Sequence, residues 1–275
     1  MKVGFIGLGS MGYGQAMLLA KSEHDVKVYD VFPKAMEPFN GVATLAESLA
    51  DVGKDVDVVG VCVRDDTQVN ECADALLPVM RPDSVLMIHS TVHPDTMHAL
   101  VERARAGDIH VLDAAVTRTV LAQDAPFVFC MLGGDEAIAN RVQSVLDAYS
   151  TDTIVAGPHG AGMAMKIANN LVSWSQIMIG IEAFELAEAA GVSTDKLLTV
   201  MKKNGVLTPP MAGFVQLRPK LNDPEVQELI ASQSGIGEKD LSLAEKVGTS
   251  AGAKTPIGTF IRSFIKGKLD AMAGR

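Results

Sequence analysis

Short apolar runs alternate with stretches of helical spacing along the first half of the chain. Runs rich in Val and Ile with Gly, Pro or polar boundaries are typical of strands. The pattern predicts strands over 3–6, 26–29, 57–63, 84–89, 109–112 and 127–132, and a last strand at 154–155. Helical spacing follows at 11–21, 67–80, 94–106 and 135–149. Such alternation predicts a parallel sheet with helices on both faces.

The pattern changes near residue 160, after which no further run has the character of a strand. Helices are predicted over 161–190, 195–203, 224–231, 238–251 and 256–271, with Pro209 and Pro210 as an interruption. We therefore predict an α/β fold in which a doubly wound sheet over residues 1–160 is followed by an all-helical domain over residues 161–275.

Composition excludes several classes of protein. The net charge of -9 argues against a nucleic-acid partner, because phosphate backbones are bound by basic surfaces. No stretch reaches the length of a membrane span, and no signal peptide opens the chain, so we expect a cytoplasmic protein. The cysteines Cys62, Cys72 and Cys130 have no disulfide or zinc spacing, and Cys62 and Cys130 lie in apolar runs that predict buried thiols.

A glycine-rich turn follows the first predicted strand. Residues 7–12 fit G-x-G-x-x-G and comprise Gly7, Leu8, Gly9, Ser10, Met11 and Gly12. In this context the first glycine permits a tight turn, the second lets a pyrophosphate approach, and the third lets helix and strand pack closely. The helix N-terminus then offers N–H groups to phosphates. The segment predicts a Rossmann-type dinucleotide site.

Asp30 ends the second predicted strand. A carboxylate there accepts hydrogen bonds from ribose hydroxyls and repels a 2′-phosphate, so NAD is favoured over NADP. Lys34 lies nearby and could pair with that phosphate, which leaves NADP open. The alternative for Asp30 is a turn residue without a ligand.

Lys166, Asn170 and Trp174 recur at four-residue spacing and share one face of a predicted helix. The residues around Lys166 are apolar, so its amine either reaches solvent, pairs with a carboxylate or binds a ligand. The adjacent amides Asn169 and Asn170 favour a ligand, because polar groups on an apolar helix are costly without partners. A lysine and an asparagine on one face could hold a substrate oxygen.

Four motifs lie at separate places along the chain. They are the glycine segment 4–12, Ser90-Thr91-Val92-His93-Pro94, the segment from Gly157 to Asn170, and Lys239-Asp240-Leu241. With these motifs the chain resembles the β-hydroxyacid dehydrogenases, the group that contains 3-hydroxyisobutyrate dehydrogenase, tartronate semialdehyde reductase and, more distantly, 6-phosphogluconate dehydrogenase. The resemblance implies NAD(P)-dependent transfer of a hydride between the nicotinamide and a small β-hydroxy acid.

The resemblance also implies residue roles. Lys166 would be the catalytic acid/base, and Asn170 would position the substrate. Thr91 and Lys239 would contact the nicotinamide end, while Val63 and Arg64 would lie over the cofactor. The resemblance alone also implies that the helical domain over residues 161–275 serves substrate binding and dimerisation, in a homodimer or homotetramer. Because a free lysine titrates near pH ~10.4, the proposed role requires burial or a second cation such as Lys239 to lower its pKa.

One segment departs from the family. The family's Asp-x-Pro-Val-Ser-Gly-Gly receives a substrate carboxylate, whereas this chain has Asp113-Ala114-Ala115-Val116-Thr117-Arg118-Thr119. Thr117 can replace the serine, and Arg118 either binds the carboxylate or lies at the surface. Thr119 stands where a glycine is expected, so backbone donation there is in doubt. Trp174 is either a pocket wall or a core residue, and the departures indicate a substrate other than 3-hydroxyisobutyrate.

Other functions compete with the dehydrogenase. An imine reductase, or an enzyme that cleaves a bond through transient oxidation, would keep the cofactor. Lys166 favours carbonyl chemistry, because imine reductases resembling this family usually replace that lysine. A non-catalytic dinucleotide-binding protein is the third hypothesis. No metal site is indicated: His89, His93 and His98 lack further ligands, and His93 before Pro94 is a turn residue.

Overall fold

The computed structural model describes residues 1–119 and 122–275, which form two compact units, Met1–Lys166 and Ile167–Arg275. The division lies six residues beyond the boundary predicted at 160 and 161, inside a helix rather than before it. None of the helices in the described ranges is long and apolar enough to cross a membrane.

The first unit alternates strands and helices. Its strands are β1 (Lys2–Ile6), β2 (Asp25–Tyr29), β3 (Thr44–Leu45), β4 (Val58–Val61), β5 (Val85–Ile88), β6 (His110–Arg118), β7 (Val128–Gly133) and β8 (Ser150–Gly157). Its helices are α1 (Gly12–Ala20), α2 (Pro33–Met36), α3 (Leu49–Gly53), α4 (Asp66–Leu76), α5 (Pro94–Arg105), α6 (Glu136–Arg141) and α7 (Gln143–Asp147). The sequence pattern did not predict β3, α2 and α3, which are too short for a periodicity to develop.

The eight strands form one sheet in the order β3-β2-β1-β4-β5-β6-β7-β8. The chain reverses its direction of travel across the sheet between β1 and β4, and such switch points bind ligands at the carboxyl ends of the strands. The predicted parallel sheet is confirmed for β1 to β6, whereas β7 runs antiparallel to β6 and β8 runs parallel to β7. The connection from β6 to β7 is too short for the crossover that parallel strands need.

Alternating side chains in the central strands supply two cores, one on each face of the sheet. Phe5, Val85 and Met87 pack with Leu19 of α1 and with α6 and α7. Leu86 and Ile88 pack with α4 and α5 on the other face. Helices therefore cover both faces, as predicted. Burial raises the pKa of the thiols of Cys62, Cys72 and Cys130 to about 12.

Two predicted elements in the first unit were wrong, and the last strand, predicted at 154–155, spans Ser150–Gly157. The strand predicted over 109–112 continues to Arg118, because residues 113–118 pair with β7. The helix predicted over 135–149 is divided at Val142 into α6 and α7. The first difference matters more, because it places residues 113–118 on a strand with strict alternation between faces.

The second unit is helical in its described residues. Helix α8 (Ala161–Ala189) begins in the first unit and continues into the second, followed by α9 (Thr194–Lys203), α10 (Pro209–Leu217), α11 (Pro224–Ser250) and α12 (Pro256–Met272). Its core includes Trp174, Ile230, Leu241 and Ile265. The all-helical prediction is confirmed.

Two expectations for the second unit were wrong. Pro209 and Pro210 begin α10 rather than interrupt the chain, because proline is well tolerated in the first turn of a helix. The helices predicted over 224–231 and 238–251 are one helix, α11. Gly237 lies where α11 packs closely, since a Cβ there would be 2.8 Å from Ile265 Cδ1. That glycine marks a close approach and not a turn.

His89 forms a buried polar contact inside the first core. Its Nδ1 donates to Ala114 O at 2.8 Å, which leaves Nε2 to accept from the Tyr149 hydroxyl at 3.3 Å. The ring also stacks on Phe5 with centroids 5.7 Å apart. Burial lowers the pKa of His89 to about 4. The fold therefore requires a neutral imidazole.

We predict that His89 makes the protein sensitive to mild acid. The unfolded chain takes up a proton near the ordinary pKa of about 6.5 and the folded chain only near 4. Stability is therefore present above pH ~6.5 and falls as the pH drops, by about 2 kcal/mol between pH ~7 and pH ~5. Urea unfolding across this range measures the effect. In His89→Gln this loss of stability with falling pH should disappear, and in the exposed control His98→Gln it should remain. An unchanged pH dependence of stability in His89→Gln contradicts the prediction.

Candidate active site

The turn after β1 is closed so tightly that only glycine fits at two positions. Gly7 has φ +90° and donates to Tyr29 O at 3.0 Å. A Cβ on Gly7 would lie 2.2 Å from Cys62 O, and one on Gly12 would lie 1.9 Å from Gly7 O. Gly7 therefore permits the turn and Gly12 permits the close packing of α1, as the motif predicted.

Gly9 differs, because a Cβ there would meet nothing within 4 Å. The space beside it is open at the N-terminus of α1. Met11 provides no side-chain cap, and the first turn of α1 carries no acidic residue. Uncapped N–H groups beside an open glycine suit an anionic phosphate. The turn therefore fits the pyrophosphate of a dinucleotide.

Asp30 follows β2 and braces the same turn. Its Oδ2 accepts from Leu8 N at 2.7 Å and its Oδ1 accepts from Phe32 N at 2.9 Å. Each carboxylate oxygen has a further lone-pair direction. The side chain can thus hold the turn and still accept a ribose hydroxyl, which keeps the predicted role open.

Residues after β4 and β5 lie beside the glycine turn. A Cβ on Gly7 would be 3.3 Å from Val63 Cγ1, so the turn abuts Val63. Val63 N donates to Ser90 Oγ at 2.8 Å, and Arg64 N donates to Gln68 Oε1 at 3.0 Å. The segment with Thr91 follows Ser90 directly. The cofactor-binding residues predicted in this unit therefore lie at the carboxyl edge of β1, β2, β4 and β5.

Asp66 was missed by the sequence reasoning. Its Oδ1 accepts from His93 N at 2.9 Å and from Thr96 Oγ1 at 2.6 Å. The carboxylate thereby fastens the Ser90–Pro94 segment to the start of α4. His93 in turn accepts from Asp95 N and begins α5, as expected of a turn residue. Only the position of Asp66 in a short segment after a strand could have indicated this role.

The end of β6 separates the three residues expected to receive a carboxylate. Alternation places Thr117 on the face of Asp113 and Ala115, and Arg118 on the opposite face with Val116. Arg118 Nη2 donates to Ser10 O at 3.2 Å. Thr119 donates through Oγ1 to Phe127 O at 3.1 Å and so closes the hairpin. Only Thr117 shares a face with the first turn of α8.

Asp113 ties that first turn to the sheet. Its carboxylate is fully buried and Oδ2 accepts from Met163 N at 3.2 Å. Burial raises the pKa of Asp113, and backbone donors from Gly160, Met163 and Gly162 oppose that rise. Lys166 follows three residues after Met163 and is 8% exposed. The carboxylate therefore sets where the helix carrying Lys166 begins. A charged residue inside the apolar run 111–116 was the sequence signal.

A second buried carboxylate organises the helical unit. Asp240 Oδ2 accepts from Asn170 Nδ2 at 2.8 Å and from Trp174 Nε1 at 3.2 Å. Lys239 Nζ lies 3.2 Å from Asp240 Oδ1. The start predicted for a helix at residue 238, just before Lys239 and Asp240, was wrong, because α11 begins at Pro224 and Asp240 lies near its middle, 3% exposed.

The cluster around Asp240 supports the interpretation of Trp174 as a core residue. The indole lies in the core of the helical unit and its N–H is bonded to Asp240, so Trp174 is a core residue. A carboxylate only accepts hydrogen bonds, so the amide nitrogen of Asn170 faces Asp240. Its oxygen is then the group available to a hydroxyl or ammonium donor. Within the described residues no three His, Cys, Asp or Glu side chains form a metal-binding group.

Known proteins share these features. Residues 2–157 match the NAD binding domain of 6-phosphogluconate dehydrogenase. An uncharacterised oxidoreductase of Mycobacterium tuberculosis is 32% identical over 264 residues, 93% of this chain and 89% of the relative. A Mycobacterium bovis protein named "Probable 3-hydroxyisobutyrate dehydrogenase" is 30% identical over 265 residues, 94% of this chain and 88% of the relative.

Solved structures agree in fold. Mycobacterium tuberculosis 3-hydroxyisobutyrate dehydrogenase with L-serine has a TM-score of 0.79 at 24% identity, over 99% of this chain and 98% of that one. The imine reductase of Streptomyces aurantiacus has a TM-score of 0.68 at 17% identity, over 99% and 96% of the two chains. These likenesses extend over both units of the chain.

The fold and the glycine turn define a dinucleotide-binding oxidoreductase. The chain belongs to the β-hydroxyacid dehydrogenase family. Its first unit matches the NAD binding domain of 6-phosphogluconate dehydrogenase, and its relatives include proteins named 3-hydroxyisobutyrate dehydrogenase.

We predict that Asp113→Ala weakens both the fold and the helix start. Loss of a buried capping carboxylate should lower the free energy of unfolding by about 1–3 kcal/mol, measured by urea denaturation. Asp113→Asn keeps an acceptor oxygen and should cost less. An Asp113→Ala protein as stable as wild type would show that α8 does not need this cap.

Proposed function

We propose that the protein catalyses reversible hydride transfer between NAD(P) and a small β-hydroxy acid or related alcohol, with Lys166 as the general acid/base. The observation that carries the proposal is the buried lysine. Its side chain is 8% exposed, three residues after the Asp113 contact that starts α8. A lysine is seldom buried unless it is paired or bound to a ligand.

The residues have separate tasks in this proposal. A nicotinamide cofactor, when bound, would supply or take up the hydride. Lys166 accepts the hydroxyl proton from the substrate during oxidation and returns a proton to the carbonyl oxygen during reduction. Asn170 presents its oxygen to the same substrate group, because Asp240 holds its nitrogen. Thr117 offers a hydroxyl to the substrate carboxylate from the α8 face of β6. The predicted contacts of Thr91 and Lys239 with the nicotinamide end remain predictions.

We propose NAD as the preferred cofactor. Asp30 stands at the end of β2, where a carboxylate accepts from ribose hydroxyls and repels a 2′-phosphate. Its two contacts, from Leu8 N and Phe32 N, support a fixed position for that charge. Lys34 is exposed in the same region, and NADPH remains the alternative ligand to test.

Imine reduction is the second candidate, and the likeness in fold to imine reductases favours it. A bond-cleaving reaction through transient oxidation and a non-catalytic binding role complete the alternatives. Lys166 favours carbonyl chemistry over imine reduction, because imine reductases resembling this family usually replace that lysine, and a retained lysine argues against the non-catalytic role. An aldehyde and an imine offered in parallel separate the first two.

We predict that Lys166→Ala abolishes turnover but retains cofactor binding. Fluorescence titrations with NADH and NADPH come first and should give tighter binding of NADH. A panel of β-hydroxy acids, aldehydes and imines is then followed by NADH absorbance. Removing a general acid/base should lower kcat by about 100-fold or more. The pH profile of kcat/KM should also lose one ionisation.

Exposed Lys203 provides the matched control, and Lys203→Ala should behave as wild type. A Lys166→Ala protein that turns over at the wild-type rate removes the lysine mechanism. Binding of both nucleotides without turnover on any panel member supports the non-catalytic alternative. Reduction of imines alone supports the second candidate.

We also propose a homodimer or homotetramer formed through α8. Val172, Ile179 and Leu186 recur every seventh residue and are 53%, 57% and 71% exposed. An apolar stripe of this period is the surface that packs against another helix. A second copy presents the same stripe and is the occupant that we propose.

We predict that Ile179→Glu reduces the mass of the assembly in light scattering coupled to gel filtration, because it places a charge in an apolar contact. Lys203→Glu changes the charge elsewhere in the helical unit and should leave the mass unchanged. A monomeric wild type, or an Ile179→Glu assembly of wild-type mass, would exclude this face as the contact.

A further inference from the structure

Arg118 is directed at the glycine turn rather than at the face of the sheet that holds α8. Its Nη2 donates to Ser10 O at 3.2 Å and lies 3.6 Å from Met11 Sδ. The guanidinium carbon lies 5.7 Å from the centre of the Phe127 ring. An aromatic face and a carbonyl thus hold the cation beside the predicted phosphate site.

The contact with Ser10 places the guanidinium of Arg118 at the glycine turn. Ser10 lies between Gly9, which has open space beside it, and the uncapped start of α1. The backbone of this turn supplies N–H groups with partial charge only. A guanidinium adds a full charge and five N–H donors in a planar fork, of which the Ser10 contact occupies one. That fork matches the geometry of phosphate oxygens.

Alternation along β6 argues against the carboxylate role expected for Arg118. Asp113, which contacts the first turn of α8, and Thr117 are on one face of the strand. Arg118 is on the other, with Val116 and the side of the sheet that α1 covers. A substrate held near the α8 face at Thr117 is therefore not reached by a side chain that starts on the opposite face.

We propose that Arg118 binds the pyrophosphate of the dinucleotide and supplies, from β6, a charge that the glycine turn lacks. This inference rests on dinucleotide binding by the chain and extends it to a residue outside the glycine motif. Substrate-carboxylate recognition on β6 is then left to Thr117.

Gln123 provides an internal comparison. Its Nε2 donates to the same Ser10 O at 3.3 Å, but the amide carries no charge. If Arg118 only tethers the β6–β7 connection to the turn, the two side chains are equivalent. If Arg118 binds phosphate, only Arg118 matters for ligands that carry phosphate.

The test measures dissociation constants for NADH, ADP-ribose and adenosine by calorimetry, in wild type, Arg118→Gln, Arg118→Lys and Gln123→Ala. Loss of a charge-assisted phosphate contact should weaken NADH and ADP-ribose about tenfold in Arg118→Gln. Adenosine, which has no phosphate, should bind as in wild type. Arg118→Lys should recover part of the loss. Gln123→Ala should stay within about twofold of wild type, and the salt dependence should weaken only in Arg118→Gln.

Three outcomes overturn the inference. Equal losses in Arg118→Gln and Gln123→Ala indicate a tether, and a thermal unfolding scan identifies a general loss of folding. If Arg118→Gln leaves ADP-ribose binding unchanged but raises the KM for the acid, Arg118 binds the substrate carboxylate instead of the pyrophosphate. A wild type that binds none of the three ligands overturns the proposed function as well, whereas the first two outcomes leave that function intact.

Discussion

The buried carboxylate of Asp113 joins the sheet of the first unit to the helix that carries Lys166. Burying a carboxylate costs several kcal/mol unless donors surround it, and the free N–H groups at the start of α8 are such donors. The approach is close enough to require glycine on both sides. A Cβ on Gly133 would be 2.5 Å from Asp113 Oδ2, and one on Gly162 would be 2.6 Å from Met131 O. The origin of α8, and with it the position of Lys166, depends on this contact.

The strand that carries Asp113 also directs functional side chains to both faces of the sheet. Residues 113–118 belong to β6 because they pair with β7, and strict alternation then sends Thr117 and Arg118 to opposite sides. In this chain Arg118 and Thr119 stand where the resemblance leads one to expect two glycines. The cofactor contact that we propose for Arg118 and the substrate contact that we propose for Thr117 therefore lie on different faces.

In the helical unit, Asp240 has a comparable organising role. It receives the N–H groups of Asn170 and Trp174 on one oxygen and so orients the amide that we propose for the substrate. Trp174 at this position makes the orientation of Asn170 depend on the packing of the core. A buried polar cluster of this kind also favours a single helix register, because other registers would leave the charge unpaired.

The sequence by itself determined the two-part architecture, the glycine turn and the face of α8 that carries Lys166 and Asn170. These are local properties, since periodicity and glycine spacing act within a few residues. It did not determine the end of β6 or the continuity of α11, because pairing with β7 and the close packing at Gly237 are contacts between distant segments. Nor did it assign partners to Arg118, Trp174 and Asp240. Only the tertiary structure brings Ser10 to Arg118, 108 residues apart, and Trp174 to Asp240, 66 residues apart. Hydrogen-bond partners so distant leave no periodic trace in the chain.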